Sequence, residues 1–138
     1  MPSNNIAALN TAAAGLRAQT ARMKVIAENI ANASSTGANA GSNPYQRKIA
    51  TFGQVLDRAT GEKEVKMTRV VADKSDFKLR YDPTHPAADA KGYVKMPNVN
   101  TLLEAMDMRE AQRAYEANLN VIESARAIAS RTLDLLKK

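Results

Sequence analysis

Each end of this chain carries an apolar stripe at helical period, and the stretch between them does not. Near the start, Leu9, Leu16, Met23 and Ile30 recur every seven positions. Ile6, Ala13, Thr20 and Ala27 interleave with them at steps of three and four. Near the end, Met108, Tyr115, Ile122, Ala129 and Leu136 also recur every seven. This is the period of a coiled-coil seam. A stripe on one helix cannot be buried by that helix. Each end therefore needs a partner, and the first candidate is the other end of the same chain.

The chain length of 138 residues allows one ordinary domain. Two long helices take up much of it and leave a middle with a small core. Aromatic residues make up only 4%, Trp is missing, and Ala is abundant in both terminal segments. Much of the apolar surface is expected to be covered between chains. The formal charge of +6 raises the question of nucleic acid, but the charge is spread out. Residues 45–95 hold eleven Lys/Arg against seven Asp/Glu, and no run of five basic residues occurs. A solvated, mildly basic surface is the better reading, and no nucleic acid is expected. Cysteine is missing, so disulfides and thiolate metal sites are excluded. No apolar run approaches the roughly 20 residues of a membrane span. The opening Met1-Pro2-Ser3-Asn4-Asn5 lacks the basic and apolar regions of a cleaved signal peptide.

Along the chain, Ser3, Asn4 or Asn5 is expected to cap a first helix that runs to about Asn32. The stretch Asn32-Ala33-Ser34-Ser35-Thr36-Gly37 ends it. Residues 34–44 read as a loop that is mobile before assembly. Strands are expected at Arg47–Val55, around Val65–Val71, at Phe77–Tyr81 and at Tyr93–Met96, with a turn at Thr60-Gly61. Phe77, Leu79 and Tyr81 alternate with Lys78 and Arg80, the pattern of a half-buried strand. Thr101 and Glu104 have capping-box spacing, which predicts a second helix from there to the C-terminus. Glu110 with Arg113, and Glu123 with Arg126, can pair on its exposed face. A second apolar row, Ala114, Val121, Ile128 and Leu135, makes this face wider than a two-helix seam needs. The expected fold is α+β: two long terminal helices paired as a coiled-coil-like unit, with a small β-rich middle. The divisions fall at 1–33, 34–100 and 101–138.

Asp82, His85 and Asp89 form the one cluster resembling a metal or acid–base site. His85 lies between Pro83 and Pro86, where a rigid turn needs a polar residue to bond nearby backbone. Further ligands at metal spacing do not stand out, so the turn reading is favoured and no metal or other cofactor is expected. Neither a Gly-x-Ser-x-Gly elbow nor a phosphate-cradling loop is present, and no catalytic residue is assigned. Met96, Met106 and Met108 read as packing residues more readily than as an adaptable binding surface. Tyr115 is either a core aromatic on the stripe or an anchor where neighbouring helices meet. Arg17 and Arg22 are either solvated or paired with acids of another subunit, such as Glu116 or Glu123.

Glu28-Asn29-Ile30-Ala31-Asn32 followed by Gly37 resembles the N-terminal signature of bacterial flagellar rod and hook proteins. Pro44-Tyr45-Gln46-Arg47-Lys48 resembles the segment that follows it in the proximal-rod branch of that family. Tyr81-Asp82-Pro83-Thr84-His85-Pro86, continuing through Gly92-Tyr93-Val94-Lys95-Met96-Pro97-Asn98-Val99-Asn100, is similar to that branch's most specific segment. Arg113-Ala114-Tyr115-Glu116-Ala117-Asn118 matches the axial C-terminal helix. Ser35 stands where the family usually has Thr and keeps the hydroxyl. Gln46 stands where Arg is common and lacks the charge for a salt bridge there.

The resemblance implies a structural subunit of the flagellar basal-body rod, exported unfolded through the flagellar type III apparatus and polymerised helically in the periplasm. Implied partners are other copies, the other proximal- and distal-rod proteins and the export-gate adaptor at the rod base. On this reading the subunit interfaces hold Ile6, Leu9, Leu16, Met23, Ile30, Met108, Tyr115, Ile122, Ile128, Leu135 and Leu136. A helical adaptor that does not polymerise is the alternative, and a small metal-binding domain around His85 ranks behind it.

Overall fold

A computed structural model describes residues 2–137 and shows six elements: α1 (Pro2–Ala31), β1 (Lys48–Leu56), β2 (Lys63–Ala72), β3 (Lys78–Tyr81), β4 (Tyr93–Met96) and α2 (Thr101–Leu136). The class is the α+β arrangement expected, with two long helices around a β-containing middle. α1 has 30 residues and α2 has 36, roughly 45 and 54 Å at helical rise. The strands form two separate two-stranded sheets, β1–β2 and β3–β4. The chain divides into two compact units, one made of residues 1–23, 51–69 and 109–138 and the other of residues 24–50 and 70–108.

In the first unit, α1 and α2 run antiparallel. The Asn5 side-chain amide donates to the Ala125 carbonyl at 3.1 Å, and Arg22 reaches Glu110 at 3.4 Å. Gly15 lies against Asn118, so close that a Cβ on Gly15 would sit 2.6 Å from the Asn118 Oδ1. The buried residues between and beside the helices are small: Ala12, Ala14, Ala18, Ala111 and Ala125. The intrachain line is thus not the row of large side chains that the period picks out. Interaxial distance falls with side-chain size, so Ala and Gly take the line of closest approach and the large residues flank it. Ala14, Ala18 and Ala21 of α1 face residues 64–67 of β2, and Arg17 pairs with Glu64 at 3.6 Å. The β1–β2 hairpin closes through the Asp57 N–H to the Glu62 carbonyl at 2.8 Å and the Gly61 N–H to the Asp57 carbonyl at 2.7 Å.

The expected start of α1 is displaced. The helix begins at Pro2, where the first turn loses nothing from a missing N–H. Ser3, Asn4 and Asn5 therefore lie inside the helix, and Asn5 crosses to α2 instead of capping. The capping box of α2 is also corrected. The Asn100 side chain is the cap, accepting from the N–H groups of Leu102 and Leu103 at 3.1 and 3.4 Å. Glu104 turns inward instead, because a buried partner awaits it.

In the second unit, Val25 and Ile26 of α1 are buried, as are Pro44, Ala87, Val94, Pro97 and Val99. β3 pairs antiparallel with β4, Leu79 opposite Lys95 and Tyr81 opposite Tyr93. β4 contributes the buried Val94, whereas all four residues of β3 are exposed. The half-buried reading of β3 is corrected: its apolar residues Leu79 and Tyr81 face away from the core that holds Val94. Side chains at paired positions share a face, and Val94 pairs with Arg80.

Candidate assembly interface

A polar network in the second unit fixes the end of α1 against the start of α2. Asn29 is 1% exposed and uses its whole side chain. Its amide donates to the Lys48 carbonyl at 2.8 Å and to Glu104 at 3.3 Å. Its oxygen accepts from the Lys48 N–H at 2.9 Å and the Tyr45 hydroxyl at 2.8 Å. Asn29 thereby pairs with the first residue of β1 as a neighbouring strand would. Glu104, 1% exposed, accepts from the Arg47 Nε. Arg47 also reaches Asp73 at 3.2 Å and Asp107 at 3.8 Å. The Arg47 N–H donates to Asn98 at 2.7 Å, and Asn98 donates on to the Asp73 carbonyl at 2.9 Å. Gln46 donates to that same carbonyl at 2.7 Å, a neutral bond where a charged one was in question. Buried polar groups need such complete pairing to be stable.

The network shifts its own titrations. Burial pushes the Tyr45 phenol up, aided by Glu28 and Glu104 and opposed by Lys48. Burial alone would lower Arg47, but its bonds and proximity to Glu104 and Asp73 outweigh that and raise it. Asp73 is held below the usual carboxylate range, first by the Ser75 backbone N–H and side chain and then by Arg47.

The sequence motifs fall into three places. Asn29, Asn32, Gly37, Pro44, Tyr45, Asn98 and Asn100 belong to the second unit, around the network and the loop before β1. Asn32 donates to the Glu28 carbonyl at 2.9 Å and accepts from Ser35 at 3.0 Å, so the Ser35 hydroxyl does help to end α1. The loop that follows is tied down by the Tyr45 N–H to the Ser35 carbonyl at 3.0 Å and the Gly41 N–H to the Ala87 carbonyl at 3.1 Å. Gly37 packs against Ser42.

Asp82, Pro83, His85, Pro86, Gly92 and Tyr93 build the connection between β3 and β4. Asp82 accepts from the Thr84 hydroxyl at 2.9 Å, and the His85 Nδ1 accepts from the Ala87 N–H at 3.0 Å. Asp89 accepts from the N–H groups of Lys91 and Tyr93, both at 2.9 Å. Each member of the Asp82–His85–Asp89 cluster is thus spent on local turn geometry. Pro97 is buried just beyond β4.

Arg113, Tyr115 and Asn118 lie on α2 in the first unit. Tyr115 is half-buried, Arg113 is exposed, and Asn118 rests on Gly15 while donating to the Ala114 carbonyl at 2.9 Å.

The residues expected at subunit interfaces divide by exposure. Leu9, Leu16 and Met23 of α1 and Met108, Tyr115 and Ile122 of α2 are half-buried. Ile6, Ile30, Ile128, Leu135 and Leu136 are exposed, as are Leu119, Val121 and Leu133 beside them. Ile128 is 58% exposed, far more than a seam residue should be. Of the second apolar row of α2, Ala114 is half-buried, while Val121, Ile128 and Leu135 are exposed. Arg17 and Arg22 find their acids within the chain, at Glu64 and Glu110, and Glu110 turns to Arg22 rather than Arg113. Sequence reasoning missed Arg47, Asp73 and Glu104 as a junction. One signal existed: Glu104 lies seven residues before the buried Ala111, in heptad register with it and with the buried Ala125.

A protein whose two terminal helices pair through small residues and leave large apolar rows open is built for assembly, and known proteins of that class match it. Residues 9–38 match the model of the flagella basal body rod protein family, and residues 90–135 match that of the flagellar basal body rod FlgEFG protein C-terminal region. The chain is 51% identical over 131 residues to the flagellar basal-body rod protein FlgC of Agrobacterium fabrum, covering 95% of this chain and 94% of the relative. It is 39% identical to FlgC of Borreliella burgdorferi, covering 94% of this chain and 95% of the relative. Against FlgC of Salmonella typhimurium it is again 39% identical, covering 90% and 92%. The chain belongs to the FlgC family of flagellar basal-body rod proteins.

Proposed function

We propose that this chain is a non-catalytic structural subunit of the proximal part of the flagellar rod, joining its neighbours through the open faces of α1 and α2. The observation that carries this reading is the exposed row Val121, Ile128 and Leu135, which flanks the line where Ala125 of α2 meets Asn5 of α1. Contiguous exposed apolar surface of this kind marks an interaction site. Docking would bury it and offset the ordering cost of the long helices, about 1–2 kcal/mol per residue. Torque would then pass through many packed helix contacts. No helix among the described residues is long and apolar enough to cross a membrane. Export through the flagellar type III apparatus, assembly in the periplasm, and contact with other proximal- and distal-rod proteins and the export-gate adaptor complete the reading.

The test is complementation of a strain lacking the chain. Val121→Asp with Ile128→Asp alters exposed positions only. We expect normal cellular levels of the variant, no variant chain in purified basal bodies and no motility. Rods and swimming at wild-type level would overturn the assignment of this face.

A further inference from the structure

The first turn of α2 can be closed in two ways, and the fold uses one of them. In the fold Asn100 is the cap: its side chain accepts from the Leu102 and Leu103 N–H groups, and its carbonyl accepts from the Glu104 N–H at 3.0 Å. Thr101 is then the first helical residue, and it is exposed. In the other arrangement Thr101 is the cap. Thr101-Leu102-Leu103-Glu104 has the order of a capping box, in which the Thr101 hydroxyl accepts from the Glu104 N–H and the Glu104 carboxylate accepts from the Thr101 N–H. A cap residue has non-helical backbone and the first helical residue does not, so Thr101 cannot be both at once.

The Glu104 side chain separates the two arrangements. A capping box needs that carboxylate at the N-terminus of its own helix. In the fold both of its oxygens are taken elsewhere, one by the Arg47 Nε and the other by the Asn29 amide at 3.3 Å. Glu104 is 1% exposed there, and a carboxylate stays so deeply buried only while its donors are in place. When β1 and the end of α1 are undocked, those donors are gone. The Thr101 N–H, one turn back on the same helix, is then within reach, and the helix dipole favours negative charge at that end. We propose that Glu104 is a two-position switch at the start of α2. It caps its own helix with Thr101 while the second unit is open, and it moves to Arg47 and Asn29 as that unit closes, passing the cap to Asn100. The helix start moves back by one residue in the exchange. Neither position leaves the charge buried without a donor, and neither leaves the helix without a cap.

Carbon chemical shifts of Asn100 and Thr101 tell a cap residue from a helical one. They are measured on the isotope-labelled full-length chain, at a concentration where α2 is helical. In the native chain we expect cap values at Asn100 and helical values at Thr101. Arg47→Met removes the cation that draws Glu104 inward, and cap values should move to Thr101. Arg47→Lys keeps a cation but loses the fork, so its Thr101 shifts should lie between the two. Thr101→Ala gives a second readout. It should leave amide exchange in the first turn of α2 unchanged in an otherwise native chain and speed it several-fold in the Arg47→Met chain. Cap values at the same residue in the native and Arg47→Met chains would overturn the switch. So would a first turn that frays in the Arg47→Met chain to the same extent with and without Thr101.

Discussion

The Arg47 guanidinium donates to the carboxylate of Glu104, 57 residues further along, and Glu104 is 1% exposed. That bond joins the start of β1 to the first turn of α2. It also lets Asn29, at the end of α1, share the same carboxylate at 3.3 Å. Three segments far apart in the chain therefore depend on one buried charge.

Removing Glu104 should destabilise the second unit strongly. Glu104→Ala leaves Arg47 and Asn29 without their shared acceptor, and breaking such a pair costs about 2–4 kcal/mol. At a urea slope of about 2 kcal/mol/M this lowers the midpoint by about 1–2 M. Glu104→Gln, which keeps the volume and one acceptor, should lose less. Tyrosine fluorescence reads the result, because Tyr45, Tyr81 and Tyr93 lie in this unit and the chain has no Trp.

Acid should weaken the same junction through Asp73. Its carboxyl is held below the usual range in the folded chain, so the ionised form favours folding. That contribution is complete above the unfolded value of about 4 and is lost as pH falls through the lower folded value. Wild type should lose stability on acidification below about pH 4 more steeply than Asp73→Asn. Urea midpoints taken across this range check the sign. Parallel curves for the two proteins would count against it.

Gly15 and Asn118 should behave as a coupled pair. Gly to Ala inside a helix normally gains about 1 kcal/mol. Here the new Cβ would meet the Asn118 side chain at 2.6–2.8 Å, so the gain is offset until that side chain moves. In the background Asn118→Ala, the same Gly15→Ala change should recover the normal gain. A double-mutant cycle on thermal midpoints measures the coupling, expected at about 1 kcal/mol.

Gly92→Ala should loosen the turn between β3 and β4. A non-glycine residue in the left-handed region costs about 1–2 kcal/mol, and its Cβ would also push on Tyr81. We expect a lowered thermal midpoint and a changed Tyr81 environment in NMR, whereas Gly41→Ala, with open space around it, should carry the backbone cost alone.

The isolated chain at low concentration should show less helix than the 30 and 36 residues of α1 and α2 would give. Its exposed apolar rows lack partners, and long helices without packed faces are marginal in water. Circular dichroism across a dilution series should show helicity rising with concentration. A fully helical dilute monomer that melts cooperatively would rule out folding coupled to assembly.

Much of the secondary structure could be read from neighbours in the sequence. The seven-residue recurrence from Leu9 to Ile30 and from Met108 to Leu136 marked both long helices. The strand expected at Tyr93–Met96, just before Pro97, is β4 as found. His85 between two prolines could be read as a turn residue, and its Nδ1 is engaged in that turn. These are local properties of period, propensity and turn chemistry, which a few adjacent residues determine by themselves. The tertiary structure decided what depends on distant partners. The repeat names several rows around a helix, and only the close fit of Ala12, Gly15, Ala111 and Ala125 chose which one forms the intrachain line. Alternation told Leu79 and Tyr81 from Lys78 and Arg80, but which side meets the core was decided by Val94 on the paired strand. Glu104 looked like a helix cap until Arg47 and Asn29 supplied the bonds that let a carboxylate be buried. Burying a charge is governed by its partners in space, and those lie 57 and 75 residues away.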